Sequence, residues 1–506
     1  MEKRLVITIA LCMLVLLAWS SFVSKTQPVV NTDVATQVTQ QPATVQQPAK
    51  EVSRPVETSL SQPHQKIVLP DEEVDFLEND AAINKVLFKE RKEYTFQLVD
   101  SFFIDDKNLQ FKIENSGPNF ITFVHRDAGK RITKHFDFTN SKHAIELQLK
   151  IENISNTSLK ISFPIILGTQ DFSSANKFAQ YEGIVIATKE QVKHQTSRKD
   201  LNFSNINYLA LRDRYFCLIV KPETEGYFAF TKKNNVQTAE IGLVTPEWTI
   251  PAGGKIVENF KIYLGPQDLK SINAVNPNWA TVINYGTFDF ISQILLQLLE
   301  FIFRILHNWG WTLVVFSLVI YLLLYPLTLK QMRSMKEMQA LQPKIEALRQ
   351  TYKDNPQKLN KEIMELYREH KVNPLGGCLP LLLQMPIFFA LYQVLMRSAD
   401  LRGAKFLWIK DLSEPDRLFL LPFSLPVLGN EFNILPILMT IGMFIQQKFS
   451  MAKAVGEAAQ QQKIMLIVMP LMFGFIFYRM PSGLVLYWFI NSSLMLFSQI
   501  KASKAK

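Results

Sequence analysis

The chain has 506 residues, too many for one ordinary domain. Its 55 Lys and Arg outnumber its 45 Asp and Glu, a net charge of +10, but the basic residues cluster beside apolar runs. That placement points to an anionic lipid surface and a topology signal, and away from specific nucleic acid as a partner.

Lys3 and Arg4 precede an apolar run from Leu5 to Val23, long enough to cross ~30 Å of hydrocarbon. We read residues 1–25 as a retained transmembrane anchor with the N-terminus inside; a cleaved signal peptide is the alternative. Residues 26–70, rich in Gln, Pro, Thr and Val, read as a flexible tether. Residues 71–285 read as an all-β sandwich-type domain. His143–Ile151 alternates apolar and polar side chains, and Tyr227–Thr231 and Phe260–Leu264 repeat the pattern. Asn119, Gly168 and Pro251–Gly254 mark expected turns. No cluster in this domain has catalytic spacing. The chain's three cysteines, Cys12, Cys217 and Cys378, fall in different compartments on this topology, so neither a disulfide within the chain nor a metal site is expected.

From residue 286 the pattern changes. Gln293, Gln297, Glu300, Arg304 and His307 share one helical stripe, and Ile291, Ile294, Leu295, Leu298, Ile302 and Ile305 fill the rest. Residues 286–308 therefore read as an amphipathic helix lying in the membrane interface. Five apolar spans follow, at about 311–329, 375–396, 432–449, 464–478 and 483–500, giving six transmembrane helices in all. Leu418–Leu428 is apolar but short and broken by Pro422 and Pro426, so it reads as a re-entrant or interfacial piece. Parity places residues 330–374, with ten Lys or Arg, in the cytoplasm together with the basic tail 501–506.

That loop reads as an antiparallel helical hairpin over 330–373. Met332, Met335, Met338, Leu341, Ile345, Leu348 and Tyr352 recur at helical spacing, and Leu359, Ile363, Leu366 and Tyr367 form a second stripe. The stripes either pack on each other or leave a Met-lined surface open to apolar segments; one hairpin has faces for both. Within the spans stand polar residues: Ser317 and Tyr321 at i, i+4, Gln384 between Pro380 and Pro386, and Asn491 with Ser492 and Ser493. Uncompensated polar groups in lipid cost several kcal/mol each. They serve either as hydrogen-bond glue between helices or as the lining of a wet pocket open to the cytoplasm.

Several motifs carry a family resemblance. Tyr325-Pro-Leu-Thr328, Leu341-Gln-Pro343-Lys-Ile345, Lys371-Val-Asn-Pro-Leu-Gly-Gly-Cys-Leu-Pro380, Gln384-Met-Pro-Ile-Phe388 and Pro481-Ser-Gly-Leu-Val-Leu-Tyr-Trp488 resemble the YidC/Oxa/Alb membrane-protein insertases in order and spacing. The match is dense over about 279–500, and the β-domain behind an anchor is similar to the Gram-negative form. The resemblance implies a five-helix core over 309–500 and a bacterial inner-membrane protein with both termini cytoplasmic. It implies an insertase without enzymatic catalysis, cofactor or metal. Its partners would be nascent membrane proteins, the lipid bilayer, the Sec translocon (SecYEG, SecDF), and ribosome or signal-recognition components.

By the same resemblance Ser317, Tyr321, Tyr325, Gln384, Trp488 and Asn491 would line the substrate groove. Leu379, Pro380, Met385, Pro386, Phe388, Met472 and Ile476 would form a slide for the client's apolar helix, and Met332, Met335, Met338 and Pro343 would belong to the cytoplasmic hairpin. The family usually carries an arginine where this chain has Tyr321. A solute transporter would call for internal repeats, and an intramembrane enzyme for an ionisable site; neither pattern stands in the sequence.

Overall fold

The structure, a computed structural model, describes residues 63–89, 92–106, 109–138, 141–171, 181–195, 200–233, 238–352, 355–370, 372, 379–425, 429–450 and 457–504. The expected anchor and most of the expected tether lie outside these residues. The chain divides into two compact units, Met1–Thr287 and Phe288–Lys506.

The first unit is built on antiparallel sheets. The largest has nine strands, with Ala144–Asn153 and Lys255–Pro266 at its middle. Its Phe123 and Phe136 rings meet Phe76 of a four-stranded meander that begins at His64. A five-stranded sheet containing Pro164–Asp171 and Phe228–Lys233 completes the unit. The buried, alternating positions expected at Ile145, Leu147, Leu149 and Ile151 face this core.

Two expectations change here. The strand His64–Val68 lies inside the stretch read as tether: Ile67 is buried and the strand pairs along its whole length with Glu73–Leu77. Gly168, expected at a turn, lies within a strand at a bulge, where an added Cβ would stand 2.8 Å from Leu211 Cδ1 and 2.9 Å from the Leu98 carbonyl. The glycine is required by close packing, not by a chain reversal.

Lys134 is buried in this unit. Its Nζ donates to the carbonyls of Asp80 at 3.2 Å, Ala81 at 3.2 Å and Phe102 at 2.7 Å. Ala81 and Phe102 hold left-handed backbone, φ 47° and 67°, and the lysine supplies donors to carbonyls at these two turns. Burial pulls its ammonium down to about 7, opposed by the charge of Asp80. A helix, α1 (Leu269–Val275), capped by Asp268 through the Ser271 N–H at 2.7 Å, follows the last long strand.

The second unit is helical: α2 (Asp289–Leu306), α3 (Trp309–Thr351), α4 (Pro356–Glu369), α5 (Leu379–Arg397), α6 (Ile434–Ser450), α7 (Glu457–Phe477) and α8 (Ser482–Lys504). By length and composition two described helices, α3 and α8, are apolar and long enough to cross a membrane; the apolar parts of α6 and α7, Ile434–Phe449 and Leu466–Phe477, are shorter. The expected count of six spans is therefore not reproduced among the described residues.

Three elements refine the reading. The apolar residues of α2 split into a buried line, Leu295, Leu299 and Ile302, and an exposed line, Phe290, Ile294, Phe301 and Ile305. The buried line packs on α3 and α5. The span expected to stop near residue 329 continues without interruption into the first arm of the helical hairpin as the 43-residue α3, with Pro326 and Pro343 inside it. Within the stretch expected as a re-entrant or interfacial piece, Phe419–Leu425 pairs with Gly429–Phe432 as a β-ribbon, an edge setting that tolerates Pro422.

Candidate functional site

α8 sits against α3, α5 and α6, so side chains from three helices converge on it. Asn308 starts α3, its Oδ1 accepting the Trp311 N–H at 3.1 Å, and the apolar run then carries the helix past Ser317, Tyr321 and Tyr325. On α5, Gln384 is buried and its Nε2 donates to the Tyr487 hydroxyl of α8 at 2.6 Å. One turn further along α8 lies buried Asn491, whose Nδ2 lies beside the Tyr487 hydroxyl but makes no hydrogen bond of normal geometry among the described residues. Gln499 Oε1 makes none among them either. The Tyr321 hydroxyl is hydrogen-bonded to Ser498 of α8, and its ring lies 5.8 Å from that of the more exposed Tyr325.

The structure thus brings Gln384 and Asn491 together around Tyr487 and gives Tyr321 a partner on the same helix. Ser317 behaves differently: fully buried, it donates to the Leu313 carbonyl of its own helix at 2.6 Å. Two residues with no expected role, Tyr487 and Ser498, complete the polar stripe. They follow Asn491 at helical spacing, Tyr487 four residues before and Ser498 seven after, so period 3.6 alone could have singled them out.

Trp488 points to another neighbourhood than Tyr487, as adjacent helical residues must. Its ring lies 5.3 Å from Phe388 of α5, and 5.8 Å from Phe473 and 5.5 Å from Phe477 of α7. Trp488 therefore sits among the residues expected for the slide rather than with the polar group. Phe388 also meets Phe477 at 5.6 Å, joining α5 to α7. Met385, Pro386 and Met472 are half-buried, and Ile476 is exposed beside exposed Leu471 and Phe475. Leu379 and Pro380 open α5, and their side chains lie outside the described residues, as does that of Met335.

In the helical hairpin Leu341, Ile345 and Val372 form a buried cluster, with Met338, Ile363, Leu366 and Tyr367 against it. Met338 is thus committed to the hairpin's own core, Met332 is half-buried and Pro343 is exposed. Asn355 caps α4 through the Lys358 N–H at 3.0 Å, with Pro356 as its first residue.

The opposite end of the helices is tied shut by the segment between α5 and α6. Asp416 Oδ2 accepts the N–H groups of Ile434 and Leu435, each at 3.0 Å, and Trp408 Nε1 at 3.2 Å. Asn433 Nδ2 donates to the Tyr478 carbonyl at 2.8 Å. The N–H groups of Ser482 and Gly483, at the start of α8, donate to the carbonyls of Glu414 at 2.7 Å and Leu412 at 2.9 Å. The helix starts of α6 and α8 are thereby satisfied by protein at this end.

Comparison with known proteins agrees across both units. Residues 301–506 match the family model described as 60Kd inner membrane protein, and residues 90–298 the one described as YidC periplasmic domain. A protein of Syntrophobacter fumaroxidans named membrane protein insertase YidC is 36% identical over 419 residues, covering 80% of this chain and 74% of its own. One of Pelobacter propionicus with the same name is 33% identical over 396 residues, covering 76% and 71%. A crystal structure described as an active YidC insertase with its first transmembrane domain resolved matches with a TM-score of 0.42 at 19% identity, covering 87% of this chain and 92% of that one.

Proposed function

Because the chain belongs to the YidC family of membrane protein insertases, we propose that the polar group around Tyr487 is where the hydrophilic part of a client enters the bilayer. The reading rests on one observation: Gln384, Tyr487 and Asn491 are buried together among apolar helices, and Asn491 Nδ2, beside the Tyr487 hydroxyl, makes no hydrogen bond of normal geometry among the described residues. A buried amide left bare costs about 1–3 kcal/mol. Water or a client's backbone, reaching it from the end of the pocket nearer the helical hairpin, removes that cost. The segment holding Asp416 and Asn433 closes the other end, so the pocket is blind.

Such a pocket lowers the barrier without covalent chemistry. A polar chain faces ~30 Å of hydrocarbon, and charged groups inside it are costly. Water and amides partway through shorten the dry path. The client's apolar helix then leaves past Phe388, Met472 and Ile476, and its burial in lipid, at ~25 cal/mol per Å², drives release. In this reading the protein spans the bacterial inner membrane six times with both termini in the cytoplasm. The helical hairpin meets nascent chains there, from the ribosome, a signal-recognition component or the Sec translocon. No enzymatic step is involved.

The test places single cysteines at 317, 384 and 491 and adds a membrane-impermeant thiol reagent from either side. Labelling at 384 and 491 from the cytoplasmic side alone is expected. Protection from both sides overturns the wet pocket.

A further inference from the structure

We propose that the β-ribbon formed by Phe419–Leu425 and Gly429–Phe432 lies in the bilayer, at the boundary of acyl chains and headgroups, beside the end of the slide. Exposure makes the first part of the case. Leu418 is 38% exposed, Phe419 49%, Leu420 64% and Phe423 59%, and no ionisable side chain occurs from Leu418 to Leu425. Phe419 and Leu420 are neighbours in a strand, so they face opposite sides of the ribbon, and both are open. An isolated two-stranded ribbon is marginal in water. One with apolar residues on both faces belongs in an apolar medium that surrounds it, which a bilayer does and a partner protein docking on one face does not.

The second part is depth. A two-stranded ribbon has two edges of unpaired backbone groups, which the hydrocarbon interior does not tolerate. Pro422 removes only one N–H from that account. The ribbon therefore lies where its rings reach acyl chains while its edges reach water. The charges near its foot are paired: Arg417, just before the first strand, binds Glu414 at 2.6 Å and Glu431, which stands opposite Leu420 in the second strand, at 2.8 Å. Phe419 stacks on Phe432 at 4.6 Å, holding the strands together at the same level.

The third part is position. The ribbon leads through Asn433 directly into α6, one of the helices of a membrane-embedded chain. Near the foot the Tyr478 hydroxyl donates to the Glu431 carbonyl at 2.8 Å, and at the turn end an added Cβ on Gly429 would lie 3.2 Å from the Arg479 guanidinium. The second strand thus lies along the residues that follow α7, two to three positions beyond Ile476. A client helix leaving along α7 meets lipid that the ribbon already occupies. The inference rests on the slide reading for this last step, but the ribbon's depth does not depend on whether the pocket is wet.

Nitroxide labels on Leu420→Cys and Phe423→Cys, with the three native cysteines replaced, report depth in nanodiscs of phosphatidylethanolamine and phosphatidylglycerol. Oxygen collisions should exceed those of a water-soluble nickel chelate at both sites, at interfacial depth, with the reverse at a label on exposed Lys410. Nickel-dominated collisions at 420 and 423 overturn the proposal and favour a protein partner; depth at the bilayer centre overturns it as well. As a check free of substitution, a lipid with a diazirine high on its acyl chain should photolabel residues 418–425 of the unaltered chain. Absence of adducts there, with adducts on α6 and α7, also overturns it. Ribbon labels in lipid with cysteines 384 and 491 protected would leave the ribbon standing and remove the pocket.

Discussion

Replacing Tyr487 by Phe removes one hydroxyl and leaves the ring in place. That hydroxyl accepts from Gln384 Nε2 at 2.6 Å, Tyr487 is fully buried, and Gln384 is nearly so. Hydrogen bonds between membrane helices couple by about 0.6 kcal/mol on average and up to about 1.7. The short distance and full burial place this pair near the upper end, so Tyr487→Phe should cost about 1–2 kcal/mol, part of it the bare Gln384 amide. Gln384→Leu alone should cost a similar amount. The double variant should cost distinctly less than the sum, with a coupling of about 1 kcal/mol or more. Reversible unfolding of the full chain in mixed micelles titrated with SDS measures all four corners of the cycle. Additivity within about 0.3 kcal/mol refutes a direct bond between α5 and α8. Asn491→Leu gives the contrast. It deletes an amide whose Nδ2 makes no hydrogen bond of normal geometry, so stability should change less than in Gln384→Leu while client insertion falls; the opposite pattern would place Asn491 in the packing and not in the pathway.

Two further outcomes follow from single side chains. Tyr321→Arg puts a fixed positive charge where the chain has a phenol bonded to Ser498, and reconstituted insertion of clients with acidic translocated tails should rise several-fold, while neutral tails are unaffected; equal rates for both proteins count against a role for charge there. Lys134→Met strips donors from three carbonyls and should lower the urea midpoint of the β-domain by the equivalent of about 2–4 kcal/mol. Its pH signature has a definite sign: with the folded ammonium down at about 7 from an ordinary 10.5, the unfolded chain holds more protons between those values, so stability should rise with pH across that window. The same rise in Lys134→Met would assign it to other groups.

The periodic parts of the chain were legible beforehand. Alternation marked Ala144–Asn153, and helical stripes marked α4 and the first arm of the hairpin, because each buries one face against a neighbour. What sequence reading missed depends on packing at a distance. Gly168 looked like a turn because its reason for being glycine, the approach of Leu98 and Leu211, comes from two other strands. The join of α3 across residue 329 was hidden because composition changes there from apolar to amphipathic while the backbone does not break. The polar site was half legible. Gln384 and Asn491 stood out as polar residues in apolar runs, but Tyr487 and Ser498 drew no notice until their partners on α5 and α3 were in place.

At ~1.5 Å per residue, the 43 residues of α3 make a rod about 65 Å long, roughly twice the hydrocarbon thickness. Tyr321 and the arm that packs on α4 ride on the same rod. A load that tilts the outlying arm therefore levers the hydroxyl of Tyr321 against Ser498, unless the rod yields at Pro326, the fulcrum between them.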